Sequence, residues 1–284
     1  MNRALTALFA ASLSFAAAAE EKLGYDDTPM IPDTPWHVHD GKRPQPKVIT
    51  PGTESTNEKP GKAPSDAIVL FDGTNADKWA GGDNGKGWQV VDGALVASKQ
   101  DLLSRQDFGD MHLHIEYSAP KPPKGSGQGR SNSGIFIMGQ YEIQVLDSYQ
   151  NKTYPDGYAG AVYGQYPPLV NASLPPGEWN SFDIFFTVPK FKDDKSLETP
   201  AYVTVLHNGV LIHNRAKILG AASHKKLGTY TAHPDKGPIL LQALNSGMRY
   251  RNIWVRPINN YDNQPAGGEA VKPPRPDGKK VGDF

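Results

Sequence analysis

Apolar and polar positions alternate in short runs along this chain, and turn residues close most of the runs. Met111, Leu113, Ile115 and Tyr117 alternate with His112, His114 and Glu116, the period of a strand with one buried face. Trp88 to Val91 and Ala94 to Ala97 flank Asp92-Gly93, while Tyr202 to His207 and Val210 to His213 flank Asn208-Gly209. Both patterns predict hairpins with type I′ turns, whose central residues take positive φ. Further strands are predicted at Ile68–Phe71, Ile135–Met138, Phe182–Thr187, Ile239–Gln242 and Ile253–Val255. No stretch carries a long helical period. Many strands without helices between them predict an all-β fold, an antiparallel sandwich or barrel.

The run Tyr141-Glu-Ile-Gln-Val-Leu-Asp147 is the most suggestive of these strands. Alternation puts Glu142 and Gln144 on one face and Ile143 and Val145 on the other. Asp147 follows as the strand ends and reaches the polar face if the strand bulges there. A carboxylate, an amide and a second carboxylate about one sugar ring away suit paired-carboxylate chemistry on the floor of a cleft. The same seven residues also suit an edge strand with a solvated polar face.

Two segments break the rhythm. Residues 151–176 form a long insertion rich in Gly and Pro that holds Tyr154, Tyr158, Tyr163 and Tyr166. Tyrosine rings stack on sugar faces and offer a hydroxyl, although such a loop also serves simply to pack its rings on a sandwich. The run Gly125 to Gly134 is glycine-rich but lacks Gly-Lys-Ser/Thr and a following helix, so it is read as a connection rather than a phosphate loop. It would deliver Arg130 and Asn132 to the rim beside Glu142, with Arg130 supplying positive charge to a developing oxyanion.

The histidines are less telling. His112, His114 and Glu116 share a strand face, which suits either a metal or solvent. His37-Val-His39-Asp40 raises the same question. His207 and His213, beside the Asn208-Gly209 turn, are expected to face solvent, and His233 lies in a loop from which it could approach a site. No Gly-x-Ser-x-Gly elbow and no dinucleotide fingerprint occur, leaving serine-esterase and nicotinamide chemistry without an anchor.

Composition and the chain ends set the context. The 284 residues carry 30 basic and 30 acidic side chains, so charge offers no case for nucleic acid or an anionic membrane as partner. Arg3, the apolar stretch Ala4 to Phe15 and Ala17-Ala18-Ala19 form a secretory pattern over residues 1–19, too short for a membrane span. The expectation is a periplasmic or secreted protein. With no cysteine, stability must come from a sizeable core rather than disulfides. Residues 20–65 read as a Pro-rich extended arm, 66–258 as the folded domain and 259–284 as a polar tail.

Seven segments stand in an order that resembles the 3-keto-disaccharide hydrolase domain family: Phe71-Asp-Gly, Trp88-Gln-Val-Val-Asp-Gly93, Asn132-Ser-Gly-Ile-Phe136, the Tyr141–Asp147 run, Pro176-Gly-Glu-Trp-Asn180, Leu206-His-Asn-Gly-Val210 and Arg251-Asn-Ile-Trp-Val-Arg256. The similarity runs from about Ala67 to Pro257. It implies a concanavalin A-like jelly roll of two antiparallel sheets, with an oligosaccharide or glycoside substrate on the concave one. It also implies cleavage of a 3-keto-glycoside by elimination and hydration, or net hydrolysis. Glu142 would be the base, Arg130 with Gln144 or Gln165 would steady the enolate, and Asp147 would be acid or orienter. The substrate-binding set expected is Gln144, Asn132, Gln165, Tyr163, Gln242 and His233. A divalent cation is a further candidate for steadying the enolate, with no ligands assigned. One departure stands out: Leu244 occupies a position where the family often has histidine. Two other functions stay open, direct hydrolysis by a Glu142/Asp147 pair and a non-catalytic carbohydrate-binding module.

Overall fold

The structure is a computed structural model that describes residues 23–82 and 87–258. The expected leader and tail lie outside the described residues. No described helix is long and apolar enough to cross a membrane.

The strands are β1 (Ile68–Phe71), β2 (Trp79–Gly81), β3 (Gln89–Val91), β4 (Ala94–Val96), β5 (Leu102–Ser104), β6 (Met111–Ser118), β7 (Ser133–Ile137), β8 (Tyr141–Val145), β9 (Asn180–Thr187), β10 (Lys190–Phe191), β11 (Leu197–Thr199), β12 (Tyr202–His207), β13 (Val210–Lys217), β14 (Leu240–Leu241) and β15 (Arg249–Pro257). They build an eight-stranded sheet in the order β13-β12-β9-β6-β15-β4-β3, with β1 also on β15, and a five-stranded sheet in the order β2-β5-β14-β7-β8. Every pairing in both is antiparallel. The all-β jelly-roll sandwich is the fold class the sequence predicts. Both hairpin turns carry positive φ at their central residues, Asp92 at 48° and Gly93 at 71°, Asn208 at 51° and Gly209 at 76°.

The core lies between the sheets. Met111, Leu113, Ile115 and Tyr117 of β6 meet Phe182, Ile184 and Phe186 of β9, and Ile135, Ile137, Ile143 and Val145 face them from the smaller sheet, all 1% exposed or less. Each strand spends alternate residues on this layer and leaves the others on an outer face. Both outer faces are elaborated here.

Residues 23–47 form a unit of their own, with a bridge between Met30 and His37. His37 Nδ1 is paired with the Thr28 carbonyl, and Asp40 accepts from the His37 and Lys42 amides; these are turn contacts. Residues 48–65 belong with the sandwich. They double back on themselves, Thr53 N donating to Lys62 O at 3.0 Å and Ser65 N to Thr50 O at 3.0 Å, and present Ser55 to Asn57 to the large sheet.

Candidate functional site

β8 is the last strand of the small sheet. Alternation sends Ile143 and Val145 into the core and Glu142 and Gln144 outward, as the sequence predicts. Opposite them on β7 stand Phe136 and Gly134. A methyl group on Gly134 would lie 2.5 Å from Glu142 Oε1, so glycine there is what makes room for the carboxyl. Beyond Gly134, Gln242 donates its backbone N–H to the Gly134 carbonyl at 2.9 Å.

The other edge of β8 is covered by the tyrosine-rich insertion. Gly160 N donates to Gln144 O at 2.8 Å, Gln144 N to Ala161 O at 3.0 Å and Tyr163 N to Glu142 O at 3.2 Å. This stitching makes Tyr163 the cross-edge neighbour of Glu142. The loop turns at Gly160, with φ +85°, where a Cβ would meet Ile212 Cδ1 at 2.2 Å. His213 Nε2 holds the Gly160 carbonyl at 2.8 Å.

Together these elements enclose a hollow of about 360 Å³ lined in part by Glu142, Gln144, Asn132, Gln242, Tyr163 and His224, within the usual size range of small-molecule sites. Glu142 is 6% exposed, and no described residue donates a hydrogen bond to its carboxyl. Burial pushes its pKa up to about 8, because a charge without partners is costly out of water. One wall is a chain of amides. Gln144 Nε2 donates to Gln128 Oε1 at 2.9 Å, Asn132 Nδ2 donates to the same oxygen at 3.2 Å, and Gln128 Nε2 donates to Thr153 Oγ1 and the Gly157 carbonyl. Gln144 Oε1 is buried without a partner. The opposite wall is a chain of hydroxyls. Tyr154 and Tyr163 share a hydrogen bond of 2.9 Å, and the Tyr163 hydroxyl lies 3.0 Å from His224 Nδ1. A hollow of about 510 Å³ continues past Asn132 and Leu244, and one of about 400 Å³ continues past Tyr163 and His224.

Of the residues expected at a site, Glu142, Gln144, Asn132, Tyr163 and Gln242 converge here, and four others do not. Arg130 Nε is bonded to Asp147 Oδ2 at 2.7 Å, with both side chains largely buried. β7 and β8 run in register without a bulge as far as Val145, and past the strand Asp147 is tied to Arg130, its N–H also donating to the Arg130 carbonyl at 3.3 Å. Its charge instead bears on Tyr117, which points into the sandwich. Gln165 ties its loop to the chain beyond β13, accepting from Leu219 N at 2.7 Å and donating to Gly220 O at 3.0 Å. His233 Nε2 pairs with Tyr141 OH at 2.7 Å beside Phe191. Leu244 does line the hollow, with φ +45°. Gln128 and His224 are additions that sequence reasoning missed. Both come from aperiodic loops and carry no pattern that marks them.

Two histidines correct the expectation of solvent exposure. His207 is 0% exposed and His213 4%. Alternation with Val203 and Val205 turns His207 inward, where Nε2 meets Tyr117 OH at 2.9 Å and burial lowers its pKa to about 3. His213 lies beneath Gly160, and burial lowers its pKa as well.

The His112, His114, Glu116 face is a closed polar network rather than a solvated one. Asp183 Oδ1 takes His112 Nε2 and His114 Nδ1, each at 2.8 Å. Glu116 takes Arg251 Nε at 2.6 Å, Asn252 Nδ2 at 2.7 Å and the Ser55 hydroxyl. Arg251 also donates to the carbonyls of Thr56 and Asn57, pinning residues 48–65 down. A larger cavity of about 710 Å³ lies under this segment. Glu116, Asp183 and Arg251 there are already paired, whereas Glu142 in the small-sheet hollow is buried with no side-chain partner among the described residues. Among the described residues no group of three or more His, Cys, Asp or Glu side chains converges as metal ligands would.

A model of the 3-keto-alpha-glucoside-1,2-lyase-like domain matches residues 66–256. A candidate glycosyl hydrolase of known structure from Parabacteroides distasonis is 40% identical, with a TM-score of 0.72 over 81% of this chain and 100% of that one. Two more candidate glycosyl hydrolases from that organism, 19% and 20% identical, each align with 68% of this chain and with 94% and 99% of their own, both at a TM-score of 0.50. Those two share the fold alone. No curated protein matches the chain.

Proposed function

The chain belongs to the 3-keto-alpha-glucoside-1,2-lyase-like family, and from that premise we propose that it cleaves the glycosidic bond of 3-keto-glycosides with Glu142 as base. The family and the 40% identical candidate glycosyl hydrolase support the coarser statement that it acts on carbohydrate. The observation that carries the finer one is the isolated carboxyl of Glu142.

A ketone at C3 makes the hydrogen on C2 acidic. A base removes it, the enolate forms, and the C1 substituent leaves; water then adds to the unsaturated sugar. An ordinary carboxylate is a weak base for a carbon acid. With its pKa near 8, Glu142 is a stronger one and still ionises close to neutral pH. The donors facing an enolate oxygen are amides. The Gln242 side chain makes no hydrogen bond among the described residues, and Asn132 lines the same hollow. They take the part the sequence assigned to Arg130, whose guanidinium is bound to Asp147. Oriented amides stabilise charge that develops on oxygen without reorganising at the moment of reaction. Direct hydrolysis has less support, because Glu142 is the one carboxylate among the residues that line the hollow and that chemistry takes two.

The test is incubation with a 3-keto-disaccharide and with its parent disaccharide, each with and without EDTA, followed by NMR. The expected result is cleavage of the keto sugar alone, lost in Glu142→Gln. Cleavage of the parent would move the assignment to a direct glycosidase. Binding of both sugars with cleavage of neither would leave a carbohydrate-binding module. Export is part of the proposal, on the strength of the N-terminal segment; cell fractionation that finds the full-length chain in the cytoplasm would remove it.

A further inference from the structure

An elimination also needs an acid, because the C1 oxygen of a sugar or alkyl alcohol leaves poorly as an alkoxide. Building on the proposed reaction, we propose that Tyr163, backed by His224, is the catalytic acid that protonates the departing C1 oxygen, and that the hollow beyond it receives the leaving group.

The order of groups across the sheet carries this. From the covered edge inward stand Tyr163, then Glu142 on β8; its partner on β7 is Phe136, and its carboxyl leans over Gly134 one pair along, whose carbonyl takes the Gln242 N–H on the far side, with neighbouring strands about 4.8 Å apart. A 3-keto sugar presents C1, C2 and C3 in sequence. With C2 over Glu142 and the C3 oxygen toward Gln242 and Asn132, C1 falls on the Tyr163 side. Cross-strand neighbours have Cβ atoms about 5 Å apart, so one ring can reach both side chains. The hollow of about 400 Å³ begins at Tyr163 and His224 and runs on past Tyr154 to Leu227. It offers space to an aglycone on the C1 side.

The hydroxyl chain fits a proton donor. Burial, then the hydrogen bond shared with Tyr154 and the charges of Glu142 and Asp156, push the Tyr163 pKa up, so the phenol keeps its proton. His224 is exposed and its Nδ1 touches that phenol, which joins the hollow to bulk water.

The step balances. The C2 hydrogen passes to Glu142 as a proton, and its electron pair becomes the C1–C2 double bond of a 3-keto unsaturated sugar. The C1–O bond breaks with its pair on oxygen, and that oxygen takes the Tyr163 hydroxyl proton and leaves as an alcohol. His224 returns a proton to Tyr163 and is replenished from water. Hydration is the same path reversed, with water in place of the alcohol: Tyr163 and His224 accept a proton from water as it adds to C1, and Glu142 returns its proton to C2.

The experiment compares two 3-keto-glucosides, one with an alkyl and one with a 4-nitrophenyl leaving group, in wild type, Tyr163→Phe and His224→Asn. A nitrophenolate leaves without help. Tyr163→Phe is expected to lower the single-turnover rate of leaving-group release, which precedes hydration, by about 10²–10⁴-fold on the alkyl substrate, the usual worth of a general acid, and by under about tenfold on the nitrophenyl substrate. His224→Asn is expected to show a smaller loss with the same selectivity, restored by added imidazole. Equal losses on both substrates, or no loss on either, would overturn the acid assignment and leave the lyase reading intact. A wild type inert on both would overturn the lyase reading, and the acid with it.

Discussion

Glu116 and Glu142 are the same side chain in matching positions. Each stands within a strand on the outer face of its sheet, and they are 1% and 6% exposed. Burial pushes both acids up. For Glu116, hydrogen bonds from His114, Ser55, Asn252 and Arg251 outweigh it and hold the pKa at about 2. For Glu142 nothing opposes burial, and the pKa is about 8. Burial sets the penalty, and the partners decide whether it is offset or left standing as reactivity. The large sheet uses its acid to fasten a chain segment; the small sheet leaves its acid free to exchange a proton.

The largest expected effect comes from breaking the paired side. Arg251→Met strands Glu116 as a buried charge and frees the Thr56 and Asn57 carbonyls, and should lower unfolding free energy by about 3–5 kcal/mol. Urea denaturation measures it. A change below about 1 kcal/mol would mean the network adds nothing net.

The opposite substitution should stabilise. The folded pKa of Glu142 is about 8 against an ordinary 4.5. Below pH 4.5 both folded and unfolded chains hold the proton and the residue costs nothing. As pH rises from 4.5 to 8 only the folded chain holds it, so wild-type stability falls by at most about 1.4 kcal/mol per pH unit, then levels off. Glu142→Gln should therefore gain on wild type by a few kcal/mol (~2–4) at pH 9 and by nothing at pH 4. An equal difference at both pH values would refute a strained carboxylate.

A third measurement sets the two sides against pH. Activity as kcat/KM should rise with an apparent pKa near 8, as Glu142 ionises. The network's stabilisation runs the other way on its basic side. His114, pulled down by burial but raised to about 9 by Asp183 and Glu116, contributes fully below pH 6.5 and loses its contribution as pH climbs through 9. Glu116 contributes fully above pH 4.5 and loses its contribution as pH falls through 2. The network is thus strongest between about 4.5 and 6.5, below the pH of highest activity. Coincident optima would remove the division of labour.

The smallest effect concerns Leu244. If Tyr163 and His224 supply the acid, Leu244→His should change kcat by less than about tenfold. A larger gain would show that the hollow lacks the group a histidine brings.

Much of the fold was legible because alternation persists over five or more residues in β6, β9 and β12. β2 and β5 span three residues each, too few to show a period, and were missed. The Glu142 and Gln144 face followed from the same alternation, and His207 could have been placed inward by it as well. Arg130 with Asp147 could not be foreseen as a closed pair, because that depends on which side of β8 the chain leaves. Gln128 and His224 reach the hollow on loops whose course is set by tertiary contacts.

The loop that supplies Tyr163 also satisfies the outer backbone groups of β8. Were those amides and carbonyls left open, they would form a flat strand edge on which a second copy of the chain could add a strand, the first step of aggregation. Changing what the hollow accepts by shortening or rebuilding residues 160–163 would therefore be paid in solubility. Variation in substrate choice is expected instead in side chains farther along the same groove, such as Leu227 and Leu244, which carry no part of that seal.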